Sequence, residues 1–186
     1  MNKIERAEKA IRRILKNKER VIVAVDGRCA AGKTTFALEL ARRLEANVIA
    51  MDDFFLPPTL RTEKRLAQPG GNVHHERFMQ EVLAPLAAGT AFSYGVFDCG
   101  VMDITGKKRV EPKPVAIIEG SYSMHPALRS AYDLGIFLTV EPEEQKRRLL
   151  AREGEAGAAA FLEKWIPLEE RYFAACAVAE SCALRL

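Results

Sequence analysis

The stretch Gly27-Arg28-Cys29-Ala30-Ala31-Gly32-Lys33-Thr34 matches the phosphate-loop pattern G-x-x-x-x-G-K-[ST]. Its flanks restrict the fold further. Val21-Ile22-Val23-Ala24-Val25 precedes it, a β-branched apolar run of the kind a strand buried on both faces requires. Phe36, Leu40 and Leu44 follow at four-residue spacing with Ala37 and Ala41 beside them, which predicts a helix. Strand, glycine loop and helix, in that order, aim a row of backbone N–H groups and a helix N-terminus at one point, the arrangement that cradles a triphosphate. Lys33 is then expected to reach the β- and γ-phosphates and the Thr34 hydroxyl to hold Mg²⁺, with ATP as the cofactor. Gly27 to Thr34, together with Thr35, form the expected nucleotide-binding set. The fold class that follows is α/β, a three-layer P-loop NTPase with a parallel central sheet.

Length and charge narrow the partners. The 186 residues suit one domain spanning 1–186, and 48% hydrophobic with 28% charged residues is ordinary for a globular chain. A net charge of +3 without a basic block or interleaved aromatic patch points away from nucleic acid. No apolar run approaches the roughly 20 residues that span a bilayer. The N-terminal stretch is charged and lacks the apolar segment of a signal peptide, so the expectation is a cytoplasmic protein with no membrane partner. Cys29, Cys99, Cys176 and Cys182 show no C-x-x-C spacing, as expected of reduced thiols. Cys29 sits inside the loop, where the positive field would lower its pKa; the alternative is a small packing residue.

Along the chain, Ile4, Ala7, Ile11, Ile14 and Leu15 predict an amphipathic helix on the domain's edge. Asn47 to Met51 reads as a second buried strand, ending in Asp52-Asp53-Phe54-Phe55. Paired carboxylates at the C-terminal end of a parallel strand stand where open α/β sheets bind ligands. Strand alternation would turn Asp52 and Asp53 to opposite sides. Leu56 to Val73 reads as a long, irregular, basic loop, and Arg77 to Leu86 as a helix. A small antiparallel excursion around 90–111 is expected from Ala91–Phe97 and Val101–Ile104, with Thr105–Lys108 as its turn signal. Val115–Gly120 is a buried strand ending in Glu119, a second expected Mg²⁺ anchor, and Leu134–Val140 is a fourth core strand. Glu143 to Arg152 is a helix carrying Arg147, Arg148 and Arg152, which Gly154-Glu155-Ala156-Gly157 would hinge as a lid around 147–158. Ala158 to Ala179 is helical in pattern, with Trp165 and Phe173 expected in the core.

Taken together, these segments resemble the uridine kinase and phosphoribulokinase-like group of P-loop small-molecule kinases. The resemblance runs from about Val21 to Phe173 and rests on the phosphate loop, Asp52-Asp53-Phe54-Phe55, the Pro-rich loop into Gly71-Asn72-Val73, Ile117-Ile118-Glu119-Gly120 and the arginine-bearing lid. It implies that Asp52 is the general base, with Phe55 where many members have Tyr. It further implies that Glu119 lies near Mg²⁺ and that Arg148 and Arg152 are the lid arginines. Two departures stand out. Asn72-Val73-His74-His75-Glu76 replaces the acidic N-F-D-H-P-type segment that contacts ribose, and the base-recognising hairpin aligns only at Phe97-Asp98.

The expected activity is ATP- and Mg²⁺-dependent phosphorylation of a hydroxyl on a small metabolite. Lys33, Arg148 and Arg152 would neutralise charge while Asp52 takes the proton. A nucleoside such as uridine is the first acceptor, with pantothenate- or sugar-type alcohols behind it. Asp53, Phe55, His74, His75 and Phe97 are the candidate acceptor contacts. A nucleotide-dependent switch or accessory NTPase stays open as the other class, and a homo-oligomer is compatible with the reading.

Overall fold

The computed structural model describes residues 1–186. A helix, α1 (Lys3–Leu15), is opened by a capping box in which Asn2 and Glu5 bond each other's backbone N–H groups. Then come β1 (Val21–Gly27), α2 (Lys33–Leu44), β2 (Asn47–Ala50), a helix α3 at 75–88, a hairpin of β3 (Phe92–Asp98) and β4 (Asp103–Val110), β5 (Val115–Glu119), β6 (Leu134–Leu138), α4 (Pro142–Ala160), α5 (Ile166–Ala175) and β7 (Leu184–Arg185). Five strands form one parallel sheet in the order β2-β5-β1-β6-β7, and the hairpin stands apart.

Pleat alternation divides the core into two layers. Val21, Val23 and Val25 face α1 and α2, where they meet Ile11, Phe36 and Leu40. Ala24, Ile49 and Ile118 face the other side, onto Phe54, Phe78, Tyr94 and Tyr172. The three-layer architecture expected from the sequence is therefore present. β1 and β5 lie side by side in the middle, so the phosphate loop and Glu119 leave the sheet as neighbours, with Val25 opposite Glu119.

Several local expectations needed correction. After β2 the chain does not continue as a strand; Met51–Phe54 is a 3₁₀ turn. Asp52 and Asp53 still diverge, because residues in a 3₁₀ turn are spaced about 120° apart. The hairpin turn lies at 99–102 and not at Thr105–Lys108. There the Asp98 carboxylate accepts from the Gly100 N–H (2.7 Å), the Asp98 carbonyl from the Met102 N–H (2.7 Å), and Met102 takes φ 59°. Gly106, Lys107 and Lys108 lie within β4, an exposed strand where lysines discourage edge pairing.

Leu56 to Val73 is ordered around Arg65, which donates to the carbonyls of Gly71 (3.1 Å) and Val73 (3.0 Å) and pairs with Glu76 at 2.6 Å. Helix α4 breaks at Gly154 alone (φ 70°, ψ −179°), and Gly157 remains helical. Phe173 is buried edge-to-face on Phe137, but Trp165 is only half-buried. Helix α3 and the 158–175 stretch each contain a widened π turn, Met79–Leu83 and Phe161–Trp165. Each turn ends two residues before a proline, Pro85 or Pro167, whose ring removes a helical N–H and crowds the preceding turn.

Candidate active site

A cleft of about 960 Å³ opens at the C-terminal edge of the sheet. That volume lies at the upper end of the range for small-molecule sites, roughly 300–1,000 Å³. The phosphate loop forms its floor. Gly27 has φ 136°, and a Cβ there would lie 2.0 Å from the Leu138 carbonyl oxygen, so no other residue fits where β1 turns into the loop beside β6. Gly32 (φ 88°) turns the chain left-handed into α2. Lys33 folds back across the loop and donates to the carbonyls of Gly27 (2.7 Å) and Arg28 (3.0 Å). The Thr34 hydroxyl lies 3.1 and 3.2 Å from the two oxygens of Glu119. A hydroxyl and a carboxylate held together are hard oxygen donors, and they suit Mg²⁺, which binds through few protein oxygens plus phosphate and water.

The wall beside Glu119 carries Asp52, whose Oδ1 lies 3.6 Å from where a Cβ of Gly120 would be. Asp52 keeps accessible surface but is enclosed by the cleft. That enclosure pushes its carboxyl up against the pull of Lys33, with Asp53 adding to the rise. Burial pushes Glu119 up as well, against its hydrogen bond to Thr34. Over the loop, Arg148 donates to the Ala30 carbonyl (3.0 Å) while paired to Glu144. Arg152 pairs with Glu153, approaches Cys29 Sγ at 3.9 Å and lies over the Phe161 ring at 5.3 Å. Arg147 turns outward onto Glu144.

The remaining candidates divide. Phe55 lines the cleft. Asp53 faces the hairpin, accepting from Tyr94 Oη (3.1 Å) and from Lys108 Nζ (2.8 Å). His74 and His75 are outside the cleft: His75 stacks on His125 at 4.3 Å between ring centres, and both neighbour the Arg65–Glu76 pair. Phe97 is buried in the hairpin, also outside the cleft. Arg28 turns away to Glu170 (2.9 Å). Cys29 packs with Leu149 and Ala158, and burial together with Glu169 pushes its thiol up, so the loop's positive field does not prevail there.

Sequence reasoning overlooked several residues. Asp26, fully buried near the end of β1, accepts from the N–H groups of Gly27 (2.7 Å) and Met124 (2.9 Å) and from Tyr172 Oη (2.9 Å). Its place one residue before the first loop glycine was the available signal. Glu169 on α5 accepts from the Cys29 N–H (2.9 Å) and from Ser121 Oγ (2.5 Å). Gln145 on α4 donates to the Cys29 carbonyl (2.9 Å). Tyr122, with φ 73°, is a strained non-glycine residue on the cleft wall. Neither Glu169 nor Tyr122 belongs to a local pattern.

No family model matches the chain, and no curated protein does. Among solved structures it is similar to a possible uridine kinase from Bacillus stearothermophilus, with TM-score 0.73 and 17% identity over 98% of this chain and 97% of that one. The chain has the uridine kinase-like P-loop fold. A proposed fructose transport system kinase from Silicibacter sp. TM1040 is similar over 90% of this chain and 93% of its own, with TM-score 0.70 and 26% identity. YFH7 from Saccharomyces cerevisiae, a proposed P-loop kinase with a circular permutation, matches over 100% and 99% with TM-score 0.72 and 12% identity. No helix of this uridine kinase-like fold is long and apolar enough to cross a membrane.

Proposed function

We propose that the protein is an ATP- and Mg²⁺-dependent phosphotransferase acting on a hydroxyl of a small metabolite. The observation that carries this reading is the position of Asp52, a carboxylate lining the same cleft as Lys33, Thr34 and Glu119. Phosphoryl transfer asks a protein mainly for positioning and charge neutralisation. Lys33, Arg148 and Arg152 supply cations around the loop. Thr34 and Glu119 would hold Mg²⁺, which would supply positive charge to offset the negative charge that develops on the transferring phosphoryl group. Asp52 accepts the proton of the attacking hydroxyl and aligns it.

A nucleoside is one acceptor this arrangement would take. It would bind without the two loop histidines, since His74 and His75 are engaged with Arg65, Glu76 and His125 away from the cleft. The likeness to a proposed sugar-transport kinase supports widening the acceptor to other alcohols. The test is an ADP-release screen against nucleosides, sugars, pantothenate and their phosphorylated counterparts, with a control lacking acceptor. Acceptor-dependent ADP release with a phosphorylated product is expected. ADP release indifferent to every alcohol, or none, would overturn the kinase reading in favour of an accessory NTPase.

A further inference from the structure

Asp52 is aimed by its backbone. Its carboxylate accepts no hydrogen bond from the protein, so its direction depends on the 3₁₀ turn Met51–Phe54 that carries it. Hydrogen-bond geometry within such a turn is poor, and its rigidity comes from what holds it outside. Met51 and Phe54 are fully buried and fix the two ends. The main chain between them is held by Arg77.

Arg77 stands in the first turn of α3 with 11% of its side chain exposed. A guanidinium so far out of water is costly unless its donors find acceptors. Nη2 donates to the Asp53 carbonyl (2.5 Å), the peptide group that directly follows Asp52. Nη1 donates to the Gly95 carbonyl (2.8 Å) and to Glu81 (3.1 Å), one helical turn further along α3. The cation also lies over the Phe54 ring, 4.1 Å from its centre, within the range of a cation–π contact. None of these partners belongs to the phosphate loop.

The same fork binds the turn to the hairpin. Glu81 accepts from the Gly95 N–H (3.0 Å), so the pair Arg77–Glu81 holds both polar groups of residue 95 on β3. A Cβ at position 95 would lie 3.1 Å from Arg77 Nη1 and 2.8 Å from Ile104, so a glycine is what admits the guanidinium there. Cys99 and Met102, on the turn of that hairpin, line the cleft with Asp52. One planar side chain thus joins the segment bearing the carboxylate to the hairpin that walls the cleft.

We propose that Arg77 is the positioning residue of this site: it fixes the main chain beside Asp52, and with it the direction of the carboxylate, relative to the hairpin wall. Its effect on rate rests on the reading of Asp52 as the base; the clamp itself does not. Arg77→Met removes all three hydrogen bonds and keeps an apolar stem, whereas Arg77→Lys keeps a charge that can reach part of the set. With the acceptor found by screening, Arg77→Met should lower kcat about 10–100-fold, the scale of loss for a misplaced catalytic group, and leave KM for ATP nearly unchanged. Arg77→Lys should fall between it and wild type. Added to Asp52→Asn, Arg77→Met should cost almost nothing more, because the group it aims is already gone. Wild-type turnover in Arg77→Met, a raised KM for ATP, or the same fold loss in both backgrounds would each overturn the proposal. Should Arg77→Met fail to fold, Arg77→Lys in the same two backgrounds decides it by the same criteria.

Amide hydrogen exchange reads the clamp apart from activity. Peptides covering 51–56 and 92–98 should exchange faster in the Arg77 variants, and those covering 27–35 should not. Unchanged exchange, or exchange raised throughout the chain, would overturn the clamp. Faster exchange confined to the turn and hairpin, in a protein that phosphorylates no alcohol, would retain the clamp and refute the kinase reading.

Discussion

Replacing Asp52 with Asn is expected to slow acceptor phosphorylation by about 10²–10⁴-fold, the usual contribution of a positioned general base, or about 3–5 kcal/mol at the transition state. The structure separates this substitution from its neighbour. Asp52 faces the cleft, whereas Asp53 accepts from Tyr94 and Lys108 on the hairpin and lies outside it. Asp53→Asn should therefore cost stability, about 1–3 kcal/mol from a weakened buried hydrogen bond and ion pair, and change turnover by no more than a few-fold. A pH profile adds an independent check. Asp52 must be ionised to accept a proton, and enclosure in the cleft raises its pKa above the ordinary 3.8. Activity should thus fall on acidification through a midpoint above 3.8, and Asp52→Asn should lose that limb. The assay is steady-state turnover with the acceptor found by screening, alongside calorimetric ATP binding, which should stay nearly unchanged in both variants. A dead Asp53→Asn beside an active Asp52→Asn would exchange the two roles. Full activity in both would refute the carboxylate base and favour the NTPase reading.

Lys33→Ala should lower turnover by about 10²–10³-fold with the melting temperature retained, since it removes a preorganised cation from the triphosphate site; activity within a few-fold of wild type would count against the phosphate-loop assignment. Glu119→Gln should raise the Mg²⁺ concentration for half-maximal rate, and an unchanged Mg²⁺ titration would leave Glu119 a structural acid. Acidification should destabilise the fold through His125, which burial and the adjacent His75 hold down at a pKa of about 4, against 6.5 for the free side chain. The folded state binds fewer protons there than the unfolded chain, so stability is complete above pH 6.5 and lost as pH falls toward 4, by at most about 3 kcal/mol. Urea midpoints measured across that window should slope downward in wild type and flatten in His125→Phe; equal slopes would place the acid sensitivity elsewhere.

The parts of this site legible in the sequence are those whose cause is local. A β-branched run, a glycine pattern and a four-residue apolar spacing lie within about 25 consecutive residues, and β1, the loop and α2 formed as expected. Where local signals were ambiguous, the outcome depended on burial. Thr105-Gly106-Lys107-Lys108 has turn-like composition, but the same residues also suit an exposed edge strand, and the Asp98 carboxylate instead closes the turn at 99–102. Asp52 and Asp53 diverge as expected, though through a 3₁₀ turn and not through strand alternation. The least legible residues are those given meaning by topology. Glu169 reaches the phosphate loop across 140 residues of chain, and Arg171 reaches the Leu66–Ala67 carbonyls across more than 100. In the sequence they stand two positions apart in one charged helical stretch, with Glu170 between them, and nothing there marks either for its role. Turning β5 and β1 side by side and laying α5 over their ends assigns those roles. The phosphate loop is thus written in a motif, whereas the residues that anchor it from α5 take their place only from how distant segments meet.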